Sequence, residues 1–483
     1  MTDQPINKRR RLNYEPVSEE LLTTLEPTPT SADAPSANVL EPLLDPFLSP
    51  ATSWGFDEFA RDPNYLASQE ELRCLLFTTA RSTAPTRAGT PVEEGETTNY
   101  GSFNIKQTLG KGRRVHYLKN YISHVAPWLD MFDGNRAFGI QLPALARDSP
   151  PLLYAILAIS ARQIERKEKT QSSFDSLELY QEAIRLLTPL LQARDTQVIA
   201  TCVVLCCLEM FTASAQDWRR HLEGCAAVFE AFGVNGFSGG VLQAVFWCYA
   251  RMDVCGALIS DGTESTLLKP SNWLPPDTSQ DFADTFFRST SSPDMYANYA
   301  VWLCAKACEL ISDRNKYIEL GEKNRCSAPE FQNRWFHLWD QLSNWLLHRP
   351  KDMLPVEIIN SNPFPQIFFA HWAAISSNQL YHTACVLLLS ANPRPKNLFP
   401  APETSVLWHA KRICGISLAN PHEGCLNNAI QPLWIAGRLL SHTSEQALVV
   451  KTIRHIEALT GWTACWRIRD LENAWGYKVR GEQ

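Results

Sequence analysis

The sequence predicts an all-α fold, and three observations carry that reading. From Val115 to Asp261 apolar residues recur at helical spacing through one segment after another. Capping residues and prolines fall where helices start and stop. Alternation with period two, the mark of a half-buried strand, is scarce, and no internal repeat of fixed period appears.

The train opens with HVAPWLDMFD (His124 to Asp133). Ser149 followed by Pro150 and Pro151 is a strong helix start, because a proline in the first turn gives up an N–H that has no partner there. The helix after it is apolar on nearly every side (Leu152, Leu153, Ile156, Leu157, Ile159) and should lie deep in the core. Asp175 and Glu178 are spaced as a capping box; Leu177, Tyr180, Ile184, Leu187 and Leu191 then share a face, and Pro189 should kink the end. Asp195 is placed to cap the next helix, and Asp217 the one carrying Trp218, Leu222, Cys225, Phe229 and Phe232. ARMDVCGALISDG (Ala250 to Gly262) closes the block.

Residues 262–295 are rich in Ser, Thr, Asp and Pro and read as a surface loop. A second helical block follows, with helices expected over 296–318, 328–348, 365–391, 404–418, 427–441 and 444–473. Ten of the 15 tryptophans lie beyond residue 300, and Trp335, Leu338, Trp339, Leu342 and Trp345 form an aromatic stripe. Prolines at 393, 395, 400 and 402 interrupt the series. The helical domain is therefore expected over 113–483, with sub-lobes at 113–262 and 296–483.

Residues 1–112 hold 11 of the 31 prolines and few long apolar faces, so most of this head is expected to be disordered and acidic. Lys8, Arg9, Arg10 and Arg11 form a compact basic cluster that reads either as a nuclear-import signal or as a solvated charge run. Further on, Leu43, Leu44, Phe47, Leu48, Trp54, Phe56 and Phe59 alternate with acidic residues. That is the composition of activation segments that dock on partner grooves; a strap packed on its own domain is the competing reading. Ser68 to Ala80 adds a short helix, with Ser68 and Glu71 spaced as a capping box.

Composition narrows the function classes. At 483 residues and a net charge of −6, the chain can bury a large core and lacks the bulk charge of a broad basic nucleic-acid surface. The 14 cysteines are scattered, mostly on apolar runs, as expected in a reducing compartment. Neither a leader nor a membrane span is expected, since the strongest apolar run, Val198 to Phe211, is short and contains Glu209. Cys202 with Cys206, and Cys304 with Cys308, share helix faces but lack a neighbouring pair of ligands in sequence, so they read as core. Gly110-Lys111-Gly112 lacks both ends of a phosphate loop, and Asp130 with Asp133 is half of a metal-binding carboxylate motif whose partner motif is not apparent. His124 and His221 read as hydrogen-bonded structural histidines, while Arg251 and Asp253 should each pair with another helix. No catalytic constellation, cofactor or metal site is expected, and the chain does not read as an enzyme.

Several stretches together resemble a known family. LRCLLFTTARSTAPTRAGTP, HVAPWLDMFD, LPALARDSPPLLYAILAISARQ, WRRHLEGC and ARMDVCGALISDG look like the regulatory domain of fungal binuclear zinc-cluster transcription factors, nearest to their ARCA-like group. NAIQPLWIAGRLLSH and TGWTACWRIRDLENAWGY resemble the C-terminal end of that domain. The resemblance runs from about Leu72 to the C-terminus and marks Trp128, Trp218, His221, Gly224, Arg251 and Asp253 as signature residues with structural roles. It implies a nuclear transcription regulator whose partners are the transcription machinery or co-regulators. The family's six-cysteine zinc module has no counterpart among these residues, where Cys74 comes first and Cys202 next. DNA contact is therefore expected to be weak or indirect, through the basic arm alone. A metabolite-sensing or protein-interaction module without direct DNA binding is the second reading, and a helical enzyme the third. No sustained heptad predicts a coiled-coil dimer, so the oligomeric state stays open.

Overall fold

The computed structural model describes residues 58–83, 110–168, 175–191, 195–212, 215–260, 264–289, 292–393 and 401–477. The basic cluster at 8–11 and Leu43, Leu44, Phe47, Leu48, Trp54 and Phe56 lie outside the described residues.

Two helices occupy part of the span that composition assigns to disorder. α1 (Glu58–Arg61) and α2 (Pro63–Thr83) bury Phe59, Tyr65, Leu72, Leu76 and Thr79. An average over 112 residues dilutes this short stripe of helical period, which α2 lays against a later helix. Phe59 is therefore no exposed activation residue: it is fully buried, with the Arg162 guanidinium 4.3 Å from its ring centroid. Ser68 lies inside α2 and does not cap it, for the helix starts earlier, where Asp62 Oδ1 accepts from the Asn64 N–H at 2.8 Å.

α3 (Lys111–Asn120) runs through a wide π-turn at Tyr121–Val125 into α4 (Ala126–Leu129). Asp130 and Asp133 then build the corner. Asp130 accepts from the Phe138 and Gly139 N–H groups at 2.7 and 2.8 Å, and Asp133 from Ala137 at 2.8 Å. Both carboxylates thus serve the backbone that leads into α5 (Leu142–Leu145).

α6 (Pro150–Glu168) starts after Ser149 and is buried along almost its whole length. α7 (Asp175–Leu187) ends in a 3₁₀ turn that holds Pro189. α8 (Thr196–Thr212) is capped by Asp195, whose Oδ1 accepts from the Gln197 N–H at 3.1 Å. α9 (Ala215–Phe232) starts two residues before the cap expected at Asp217, and α10 (Gly240–Ile259) packs on α8, α9 and the helix at Pro293.

The stretch after α10 is not a surface loop. Leu268, Trp273, Leu274 and, from α11 (Ala283–Ser289), Phe287 are buried in the core. Asp253 causes this: its carboxylate accepts from the Leu267 and Leu268 N–H groups at 2.8 and 3.0 Å and from the Tyr249 hydroxyl at 3.1 Å. Polar composition concealed these few apolar anchors.

α12 (Pro293–Leu320) and α13 (Ala328–Leu347) follow as expected. The aromatic stripe is core packing: the indole N–H groups of Trp335 and Trp345 donate to the Leu388 and Tyr296 carbonyls at 2.8 and 3.1 Å. The expected helix over 365–391 is shorter, because residues 366–368 pair antiparallel with 357–359 as β1 (Glu357–Ile359) and β2 (Gln366–Phe368) before α14 (Trp372–Ser390). Three-residue strands are too short to show alternation in sequence. α15 (Val406–Ala419), α16 (Glu423–Gly437), α17 (Thr443–Thr460) and α18 (Cys465–Ala474) complete the fold. The single helix expected over 444–473 is two, divided at Gly461, whose φ of 76° ends α17 in the left-handed region that favours glycine.

The expected sub-lobes share one core. Gln163 Nε2 and Arg166 Nε of α6 donate to the Thr460 and Gly461 carbonyls at 3.2 and 2.7 Å, tying the first helical block to the last. No helix among the described residues is long and apolar enough to cross a membrane.

Candidate functional site

Residues of α4, α8, α10 and α16 line a half-open cavity of about 90 Å³. Its apolar wall includes Trp128, Ile159, Met210, Leu258 and Trp462. Trp128 meets Phe211 and Trp462 at ring-centroid distances of 6.0 and 6.1 Å, which fixes the aromatic side of the space. The polar part of the lining is Arg251, Asn427, Asn428 and Gln431. Arg251 donates to the Leu129 carbonyl at 2.6 Å, and Gln431 Oε1 accepts from Arg467 Nε at 2.9 Å. Burial holds the Arg467 guanidinium down, to about 10, with Asp470 opposing.

Both amide atoms of Asn427 and the Nδ2 of Asn428 are buried without a protein hydrogen-bond partner. Each unpaired group costs about 1–3 kcal/mol in an interior. A cavity needs only roughly 10–15 Å³ in this measure to hold one water. The site therefore has room for several waters or one small molecule, apolar along the tryptophans and hydrogen-bonding at the amides and guanidinium.

The signature residues divide among separate tasks. Trp128 and Arg251 line the cavity. Trp218 packs on Gly256, where an added Cβ would stand 3.2 Å from the indole. Asp253 draws in the segment after α10, and its burial pushes its carboxyl up to about 6 against the hydrogen bonds it accepts. Gly224 faces Leu76 of α2, leaving no room for a Cβ.

His221 stands in a buried polar cluster. Its Nδ1 lies 2.6 Å from Glu209 Oε1, which also accepts from the Tyr180 hydroxyl at 2.6 Å, while Glu209 Oε2 accepts from Gln69 Nε2 at 2.7 Å. Burial disfavours the imidazolium, but the Glu209 carboxylate and Cys225 more than offset that, and the pKa rises to about 10. Cys206 and Cys225 complete the cluster. A hydrogen bond with Cys206 draws the Cys225 thiol down to about 6, aided by His221, while burial and Cys225 push Cys206 well up. Sequence reasoning named His221 but missed the convergence of Glu209, Cys206 and Cys225, and it missed Asn427 and Asn428. The available signal was Glu209 itself, a charge inside an apolar run, which must find a partner when buried.

Helices packed on one core, with a cavity lined by aromatic and amide side chains, define an all-α domain. The chain belongs to the fungal specific transcription factor domain family, whose model matches residues 116–476. It is similar to the transcription activator AMTR1 of Alternaria alternata, at 24% identity over 58% of this chain and 44% of the relative. The chain thus spans less than half the length of that curated relative. No solved structure matches.

Proposed function

We propose that the chain regulates transcription in the nucleus, its helical domain serving as the regulatory body and its acidic head as the part that engages co-regulators or the transcription machinery. The observation that carries this reading is the family match, which spans nearly all of the helical domain. Among these 483 residues no six-cysteine run is present, so this reading gives them no base readout of their own: contact with DNA is weak or indirect, by way of Lys8 to Arg11 or a partner. Control of a metabolic pathway is the setting that suits a regulator with an interior cavity. The test is a reporter assay with the full chain fused to a heterologous DNA-binding domain. Output above that of the DNA-binding domain alone supports the reading, and no change opposes it.

A second reading is favoured by Asn427 and Asn428. In it a small effector fills the cavity, apolar against Trp128 and Trp462 and hydrogen-bonded to the amides and Arg251. Screening metabolites for a thermal shift in the wild-type chain that Asn427→Leu abolishes tests this; compounds that shift both proteins equally bind elsewhere and oppose it.

A further inference from the structure

Three side chains meet in the interior outside the cavity's lining. Cys206 lies on α8; His221 and Cys225 lie four residues apart on one face of α9. A ring nitrogen of the histidine and the two sulfurs lie within 4.8 Å of one another, and all three residues are buried. We propose that Cys206, His221 and Cys225 hold a structural zinc ion that fastens α8 to α9 and, through Glu209, to α2 and α7.

The surroundings of His221 are those of a metal ligand. Its Nδ1 is taken by the Glu209 carboxylate, itself held by Tyr180 and Gln69. A carboxylate on the far nitrogen is the usual support of a zinc-bound histidine, because it fixes the tautomer and the ring orientation. That leaves Nε2 as the nitrogen free to ligate, and Nε2 is buried without a hydrogen-bond partner. The donor set selects the ion. Two thiolates and an imidazole suit zinc, whereas magnesium and calcium need oxygen.

The Cys225 sulfur lies 4.0 Å from the carbonyl of Cys202, one turn before Cys206 on α8, and Cys202 would have to turn its thiol toward the group to supply a fourth ligand. Because the cluster is closed to solvent, the ion enters as the chain folds.

The test uses the full chain, produced in zinc-supplemented medium and, separately, refolded with zinc or with cobalt after denaturation in chelator. The expected result is one tightly held zinc per chain. X-ray absorption at the zinc edge should read two or three sulfurs at about 2.3 Å with nitrogen at about 2.0 Å. The cobalt form should show thiolate-to-metal charge transfer and the intense ligand-field bands of a tetrahedral site. Cys206→Ser and Cys225→Ser should lose the ion, Glu209→Gln should weaken binding about 10–100-fold, and Cys304→Ser should retain it. The wild-type spectra decide the matter even if a variant fails to fold. Folded wild-type chain without stoichiometric zinc, a zinc shell made only of oxygen and nitrogen, or a metal signal that persists in both cysteine variants would each overturn the assignment.

Discussion

Gly224 of α9 lies against Leu76 of α2 so closely that an added Cβ would stand 2.9 Å from the Leu76 Cβ. This contact seats α2 on the domain and makes residues 58–83 part of the core. Gly224→Val should force the two helices apart and cost about 1–3 kcal/mol, the usual range for overpacking. Urea unfolding measures the loss, and limited proteolysis should show faster cleavage within 58–83. Unchanged stability and cleavage would mean that α2 is not docked through this contact.

His382 and His409 share a hydrogen bond, Nδ1 to Nδ1, at 2.8 Å. His409 Nε2 lies 2.9 Å from the Glu403 carbonyl and so carries its proton there; its Nδ1 is the acceptor, and His382 the donor. Burial holds both imidazoles neutral, lowering His409 to about 4 and His382 well below its usual value. Folded-state values below the unfolded 6.5 mean that the pair's stabilisation is present above pH 6.5 and is lost as pH falls through 4. Unfolding free energy should therefore drop between these pH values, by roughly 3 kcal/mol from His409 alone. The double variant His382→Gln, His409→Gln should flatten that slope; an equal slope in both proteins would contradict the assignment.

Asp253→Ala should remove the acceptor of two backbone N–H groups and the Tyr249 hydroxyl. Buried donors left unpaired cost about 1–3 kcal/mol each. The expected outcome is a loss on the order of 3–5 kcal/mol. Trp273, fully buried beside the anchored segment, should shift its fluorescence to the red as water reaches it. A stability loss below about 1 kcal/mol would show that the segment packs without this anchor.

Asn427→Leu is expected to act in the opposite direction. Replacing a side chain whose two polar atoms are buried and unpaired with an apolar one of similar size should raise stability by about 1 kcal/mol. If the cavity serves an effector, the same change removes its hydrogen bonds, so stability and response should part. Thermal melts with and without effector read both. A destabilised variant would show that the amide is needed for the fold itself.

The helices announced themselves where periodicity and caps agree, as at Ser149-Pro150 and Asp195, because those signals are local. What escaped was set by contacts between distant segments. Phe59 and Leu76 look like ordinary head residues until α9 and Arg162 cover them. Trp273 sits in polar sequence, and only Asp253 makes its burial intelligible. The cavity's polar side joins Arg251 to Asn427, residues far apart in the chain. Cys206 and Cys225 read as plain core residues because each falls among apolar residues of its helix; the interhelical approach that brings them to His221 has no sequence period.

On the proposed function, this family domain acts together with its head to regulate transcription. The most direct measurement is reporter output from the full chain fused to a heterologous DNA-binding domain, compared with the same fusion lacking residues 40–56. The expected output exceeds that of the DNA-binding domain alone and is reduced by the deletion. Output indistinguishable from the DNA-binding domain alone, with the fusion present in the nucleus at equal amount, would contradict it.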